Sequence, residues 1–366
     1  MKKKFTKLST ETDSFQREII KNCFDTIADD MAITLMRTAY SGIVRDSLDF
    51  STAICDPNGL TLAQGVCTPM HMGSFFDAMK ALLKQYTKNI FPNDIFIFND
   101  PYASAGQHLP DIYIAMPIYF KKAIAGWAVT IAHHSDVGGI VAGSNAIGGE
   151  EIFQEGLRIP IIKFSERGIP NKAVWDMISL NVRTPEEVLG DLQAQIASCK
   201  SGEEGMCELF ERYGVKQILS YGLQIQDYAE QITRAEISEF PNGEYSFTDQ
   251  IDGLGENPET ININTKIIIA DNSITVDFDG TSQQVAAGIN PSFPFTKAAA
   301  YAALRSVMES DIPNCHGFTV PIEVKAPYGS LVNPKFPAPC GARGVTGYRI
   351  IDCLFGALSQ ALPDRV

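Results

Sequence analysis

Residues 99–139 read NDPYASAGQHLPDIYIAMPIYFKKAIAGWAVTIAHHSDVGG. Two apolar runs, Ile112 to Tyr119 and Ala125 to Ala132, flank a turn at Lys121 to Ala123 and predict two strands joined by that turn. Ahead of them, Gly106 and Pro110 hold the segment from His108 to Asp111 in a loop. The second run ends at His133 and His134, with Asp136 close behind, so the window holds three of the chain's five histidines. Neighbouring residues of a strand point to opposite faces. If strand geometry persists to its end, only one of His133 and His134 looks into a given site.

Upstream, apolar residues recur at helical spacing from Phe15 to Met36 and predict a helix over residues 13–43, with Asp13 as cap and Gly42 as stop. Phe50 to Ile54 and Leu60 to Gln64 read as a hairpin turning at Asp56-Pro57-Asn58-Gly59. His71 lies just before a helix from about Ser74 to Tyr86, and Ile95 to Phe98 is a short buried strand.

Downstream, a glycine-rich loop follows Gly138-Gly139 but lacks the spacing of a phosphate-binding loop. Ile159 to Phe164 reads as a strand. Residues 184–200 form a helix with Thr184 as cap, Pro185 at its first position and Glu187 completing a capping box. Further helices run from Glu203 to Tyr213 and from Val215 to Phe240, separated by Gly214. From Pro241 the pattern becomes alternating, with strands at Tyr245–Ile251, Ile261–Ala270 and Ser273–Asp279. A helix at Phe295–Glu309, a strand at Ile322–Lys325 and a helix at Thr346–Leu362 complete the chain. The last helix presents Ile350, Leu354, Leu358 and Leu362 with little chain after it. We therefore expect a neighbouring subunit or a further segment to cover it.

The fold class expected is α+β, with mixed helices and mostly antiparallel strands in several domains. These are an N-terminal α/β unit (1–183) carrying the histidine motifs, a helical segment (184–240) and a β-rich unit with helices (241–366). A net charge of −13, with no basic cluster beyond Lys2 to Lys4, argues against nucleic acid. No apolar run reaches the length of about 18 residues that suits a membrane span. Eight cysteines without a C-x-x-C pair suit ordinary thiols in a reduced cytoplasm.

His108 and Asp111 supply an imidazole and a carboxylate from one loop, and a histidine about 22 residues on closes the set. Two nitrogens and one oxygen with open positions suit a divalent metal such as Zn²⁺, Mn²⁺ or Fe²⁺. Such an ion polarises a carbonyl or activates water. Asp136 is placed to orient a ligand histidine. His71, at the start of its helix, reads equally as a site residue and as a core histidine. Asp46, Asp49 and Asp56 read as turn or surface residues. Glu150, Glu151 and Glu155 fit either the site or a solvated loop. Arg158 and Arg183 fit either a carboxylate substrate or structural ion pairs.

The segments RDSLDFSTAICDPNG, HMGSF, NDPYASAGQHLPD, AHHSDVGG, EIFQEGLRIP, NVRTPEEVLGDLQAQIA, DFDGTSQQV and PIEVKAPYGSLVNP occur in this order. In them the chain resembles the hydantoinase B/oxoprolinase family over nearly its whole length. The resemblance implies an ATP-dependent cyclic-amide hydrolase whose substrate is a hydantoin, 5-oxoproline or similar lactam. It implies a partner A-type subunit that binds ATP and Mg²⁺ and phosphorylates the substrate. By similarity to ketone carboxylase members of the family, His108, Asp111 and His133 would be the metal ligands, with His134, Asp136 and His71 handling water, substrate or protons. B-type subunits of the family continue beyond the end of this chain, which implies a missing C-terminal part or a separate C-terminal polypeptide. A ketone carboxylase subunit and a non-catalytic scaffold for the A-type subunit are the alternative expectations.

Overall fold

The hairpin turning near Lys121 forms the middle of an antiparallel sheet in the computed structural model, which describes residues 14–65 and 68–366. The strands are β1 (Phe50–Cys55), β2 (Thr61–Gln64), β3 (Ile95–Phe98), β4 (Asp111–Phe120), β5 (Ala123–His133), β6 (Ile162–Glu166) and β7 (Ile169–Pro170). They line up in the order β2-β1-β5-β4-β3-β6-β7. Every pairing in this sheet is antiparallel.

Both faces of the sheet are covered, which is why its strands read as continuous apolar runs rather than clean alternations. Ile54, Ile112, Ile114, Met116 and Ala128 point to one face. That face meets α1 (Ser14–Thr38) and the long helix over Pro185–Tyr213. Ala53, Phe96, Phe98, Tyr113, Trp127 and Val129 point to the other, where Phe75, Met79 and Leu82 close over them. The first short helix, α2 (Gly42–Arg45), precedes β1, and the helix carrying Phe75 is α3 (Ser74–Gln85). Trp127 and Tyr113 are fully buried. Each such side chain contributes on the order of 2 kcal/mol through removal of apolar area from water.

Three helices follow: α4 (Lys172–Asn181), α5 (Pro185–Tyr213) and α6 (Val215–Ser238). A four-stranded sheet comes next, built from β8 (Gly243–Ile251), β9 (Ile261–Ala270), β10 (Ser273–Asp277) and β11 (Ile322–Lys325), with only β10–β11 parallel. The helices α7 (Phe293–Ser306), α8 (His316–Thr319) and α9 (Gly344–Ala361) complete the chain. The fold is α+β with mostly antiparallel strands, as expected.

Four local expectations are corrected. The first helix ends at Thr38, and Gly42 starts α2 instead of stopping α1, because the Ser41 hydroxyl caps the new turn at the Val44 N–H. Asp13, the expected cap of α1, lies outside the described residues. The break expected near residue 202 is absent, and α5 runs unbroken to Tyr213. A Cβ on Gly202 would lie 2.5 Å from the Met31 sulfur, so this glycine serves close packing of α5 on α1 and not a helix end. Thr184 makes no side-chain cap, its hydroxyl instead meeting that of Ser135 at 3.0 Å. Finally, α9 is not bare. It packs on β8, β9 and α7, and Ile350, Leu354 and Leu358 are fully buried there. Among the described residues no helix is long and apolar enough to cross a membrane.

Candidate metal centre

Strand register puts the first two groups together. Asp111 opens β4 and His133 closes β5, and the two are direct cross-strand partners. Opposed residues of an antiparallel pair share a face with Cβ atoms about 5 Å apart. That face is the α3 side, continuing the parity of Tyr113 and Ile131. His134 has the opposite parity. Its Nε2 meets the Gln195 side-chain oxygen of α5 at 2.9 Å, and it is fully buried.

His108 arrives from the loop before β4. Asn99 and Asp100 shape that loop: Asp100 Oδ1 accepts from the Tyr102 and Ala103 N–H groups, and the Asn99 amide donates to the Leu109 carbonyl. Gly106 is needed for a close approach, because a Cβ there would lie 2.3 Å from the Asn99 carbonyl oxygen. The loop delivers His108 Nε2 to 3.2 Å from Asp111 Oδ1. The rings of His108 and His133 lie 5.0 Å apart between centroids.

One ligand atom from each of His108, Asp111 and His133 falls within 4.8 Å of the others. His108 Nε2, Asp111 Oδ1 and His133 Nδ1 are all buried atoms without a hydrogen-bond partner. Buried polar atoms are nearly always paired, and an orphan on each of three clustered residues needs a common explanation. A divalent cation supplies one, and two imidazoles with a carboxylate are a donor set it accepts. His108 Nδ1 lies 2.8 Å from the Gly341 carbonyl oxygen. A carbonyl only accepts, so Nδ1 carries the proton and Nε2 presents its lone pair to the centre.

The electrostatics agree with that tautomer. Burial, followed by the Arg343 charge, lowers the His108 pKa to about 4, so the ring is neutral at ordinary pH. Burial alone would raise the Asp111 pKa, but the Arg343 charge holds it well below the usual carboxylate value. The Arg343 guanidinium bonds Asp111 Oδ2, leaving Oδ1 for the centre, and stacks 4.4 Å above the Phe295 ring. Gln107 donates to the Met70 carbonyl and so ties the His108 loop to the turn carrying His71.

His71 is buried with Nδ1 2.9 Å from the Ser51 hydroxyl, and its Nε2 stands 3.9 Å from Asp111 Oδ2. Burial lowers its pKa. Together with Asp49, His108, His133, Arg343 and Tyr348, it lines a cavity of about 350 Å³. The structure thus gathers His71, His108, Asp111 and His133, and it does not bring His134 or Asp136 into the cavity. Asp136 is occupied by the N–H groups of Gly138, Gly143 and Arg183 and by the Arg183 guanidinium. Arg158 likewise pairs with Asp100.

Sequence alone does not mark Arg343, Gly341 or Ser51 as parts of the centre. Asp49, expected at a turn or on the surface, lies on the cavity wall. Arg343 and Gly341 stand more than 200 residues from the loop they complete, and no local pattern singles them out.

Residues 13–366 match the model of the family described as hydantoinase B/oxoprolinase. The chain belongs to that family. An uncharacterized protein of Methanocaldococcus jannaschii is 38% identical over 97% of this chain and 63% of its own length. A putative B subunit of a D-/L-hydantoinase from a Pseudomonas species is 31% identical over 97% of this chain and 62% of its own. The crystal structure of an ATP-dependent caprolactamase from Pseudomonas jessenii superposes with a TM-score of 0.92 at 29% identity. The superposition covers 98% of this chain and 62% of that one. This member of the hydantoinase B/oxoprolinase family thus spans a little under two thirds of the length of these relatives.

Proposed function

We propose that this chain is the metal-bearing part of a B-type subunit in an ATP-dependent cyclic-amide hydrolase. His108, Asp111 and His133 hold a divalent cation, Zn²⁺, Mn²⁺ or Fe²⁺. The observation that carries the reading is that ligand atoms of these three residues lie within 4.8 Å of one another while each residue keeps a buried polar atom without a hydrogen-bond partner. When bound, such an ion polarises a carbonyl oxygen and lowers the pKa of water.

The residues of this chain supply the rest. Gly341 fixes the His108 tautomer and Arg343 fixes the Asp111 carboxylate. His71, neutral by burial and steadied by Ser51, is the group on the cavity wall suited to moving a proton. His134 and Asp136 act from behind, His134 bracing the end of β5 through Gln195 and Asp136 organising the glycine-rich loop. The cavity has room for a small ring such as a hydantoin or a lactam.

Support for the substrate class comes from the relatives, one a putative B subunit of a hydantoinase and another an ATP-dependent caprolactamase. That the first is a subunit implies a partner. We assign ATP and Mg²⁺ to an A-type subunit that activates the ring carbonyl by phosphorylation. The test is reconstitution with that subunit, following ATP consumption with hydantoin, 5-oxoproline or caprolactam against acetone plus bicarbonate. Ring opening coupled to ATP use supports the reading, and ATP use with the ketone alone overturns it.

A further inference from the structure

The segment from Pro337 to Arg343 reaches the metal centre from the far end of the chain and makes two of its supporting contacts. The Gly341 carbonyl accepts from His108 Nδ1, and the Arg343 guanidinium holds Asp111. The fixing of this segment therefore decides how well both ligands are aimed. Ile152 donates to the Pro337 carbonyl, Tyr102 Oη to Ala338 at 2.6 Å and the Asn290 amide to Pro339 at 2.9 Å. At Gly341 itself the partner is Glu155, whose carboxyl accepts the N–H groups of Cys340 and Gly341.

Gly341 thus hangs between two side chains, its N–H on Glu155 and its carbonyl on His108. The fit is close, since a Cβ on Gly341 would lie 3.0 Å from Glu155 Oε1 and 3.1 Å from the Ser144 carbonyl oxygen. Glu155 is fully buried, and its Oε2 has no partner. Burying a carboxyl half-satisfied opposes folding. Glu155 does not line the cavity beside the ligands, so it acts through Gly341 and not on a substrate.

We propose that Glu155 is a positioning residue for the metal centre, holding the Cys340–Gly341 backbone so that the Gly341 carbonyl fixes the orientation and tautomer of His108. The inference rests on the metal reading of His108, Asp111 and His133. Groups that orient a metal-bound histidine from behind typically alter metal affinity by about 10–100-fold when removed.

The experiment is a competition titration of the metal-free full chain with Zn²⁺ against a fluorescent chelator, with the visible spectrum of the Co²⁺-loaded protein as second readout. Glu155→Ala is expected to weaken Zn²⁺ binding by about tenfold or more and to shift the Co²⁺ bands. Glu155→Gln keeps a carbonyl acceptor at the same reach and is expected to restore affinity to nearly that of the unaltered chain. Glu155→Asp keeps the charge but withdraws it by a methylene, so it weakens binding in the same direction and carries the test if the alanine variant does not fold. A purely structural role would lower the metal-free melting temperature while leaving affinity and spectrum unmoved, and that result overturns the proposal. Failure of the unaltered chain to bind Zn²⁺, Mn²⁺ or Fe²⁺ is a different outcome, which overturns the metal reading and this inference with it.

Discussion

Asp111 and His133 stand opposite each other across β4 and β5, in register, at the end of the central hairpin. The pairing puts a carboxylate and an imidazole on one face of the sheet, and the turn before β4 adds His108 three residues from Asp111. The candidate metal centre is therefore built where β4 begins and β5 ends, with His108 supplied by the loop before β4.

Asp111 also carries a buried ion pair with Arg343, whose side chain is about 10% exposed. Removing one partner of such a pair leaves an uncompensated buried charge and costs on the order of 3–5 kcal/mol. Asp111→Asn is thus expected to lower the urea midpoint of the metal-free protein strongly. The double variant Asp111→Asn with Arg343→Met should lose less than the sum of the two single changes. Strict additivity in a double-mutant cycle would show that the two groups do not act on each other.

His134 faces α5, and its role is predicted to be one of stability. Gln195 donates its amide to the Ile112 carbonyl at 2.9 Å, so it offers its oxygen to His134. His134→Ala strands that oxygen in the core and is expected to cost about 1–3 kcal/mol. Gln195→Ala in the His134→Ala background should add little at this contact, which chemical denaturation of the four proteins measures. Equal stability of His134→Ala and the unaltered chain would contradict the placement.

Glu155 makes stability depend on pH. Burial pushes its carboxyl from an ordinary 4.5 up to about 7, against the pull of the Cys340 and Gly341 N–H groups and the Arg343 charge. The folded chain therefore holds this proton more tightly than the unfolded chain does. Its contribution is fully present below about pH 4.5 and is lost as pH rises through about 7. The change is on the order of 3 kcal/mol. Glu155→Gln cannot ionise, so the urea midpoint of the unaltered metal-free protein should fall relative to that variant across this window. Parallel curves from acid to neutral pH would remove the basis of the claim.

Much of this architecture could be read from residue order. The strands flanking Lys121 and the alternation at His133 and His134 follow from the two-residue period of a strand, which needs no tertiary information. The same period separates the histidine facing α3 from the one facing α5. What could not be read depends on contacts made far along the chain. Gly202 looks like a helix break in sequence because its purpose, contact with Met31 of α1, is tertiary. The apolar face of α9 looks unpartnered because its cover, β8 and β9, precedes it by about a hundred residues. Glu155 looks like one of three acidic residues in a polar loop, whereas Glu150 and Glu151 are exposed and Glu155 is not. Arg343 and Gly341 carry no local signal at all, since their partners lie in the loop before β4.

The central claim is that His108, Asp111 and His133 form a metal centre, and elemental analysis of the purified chain after equilibration with Zn²⁺, Mn²⁺ or Fe²⁺ tests it most directly. The expected result is about one tightly held ion per chain in the unaltered protein and in His134→Ala, with the ion lost in His133→Ala and His108→Ala. An unaltered chain that retains no ion, or a His133→Ala variant that holds its ion as firmly as before, would contradict the account.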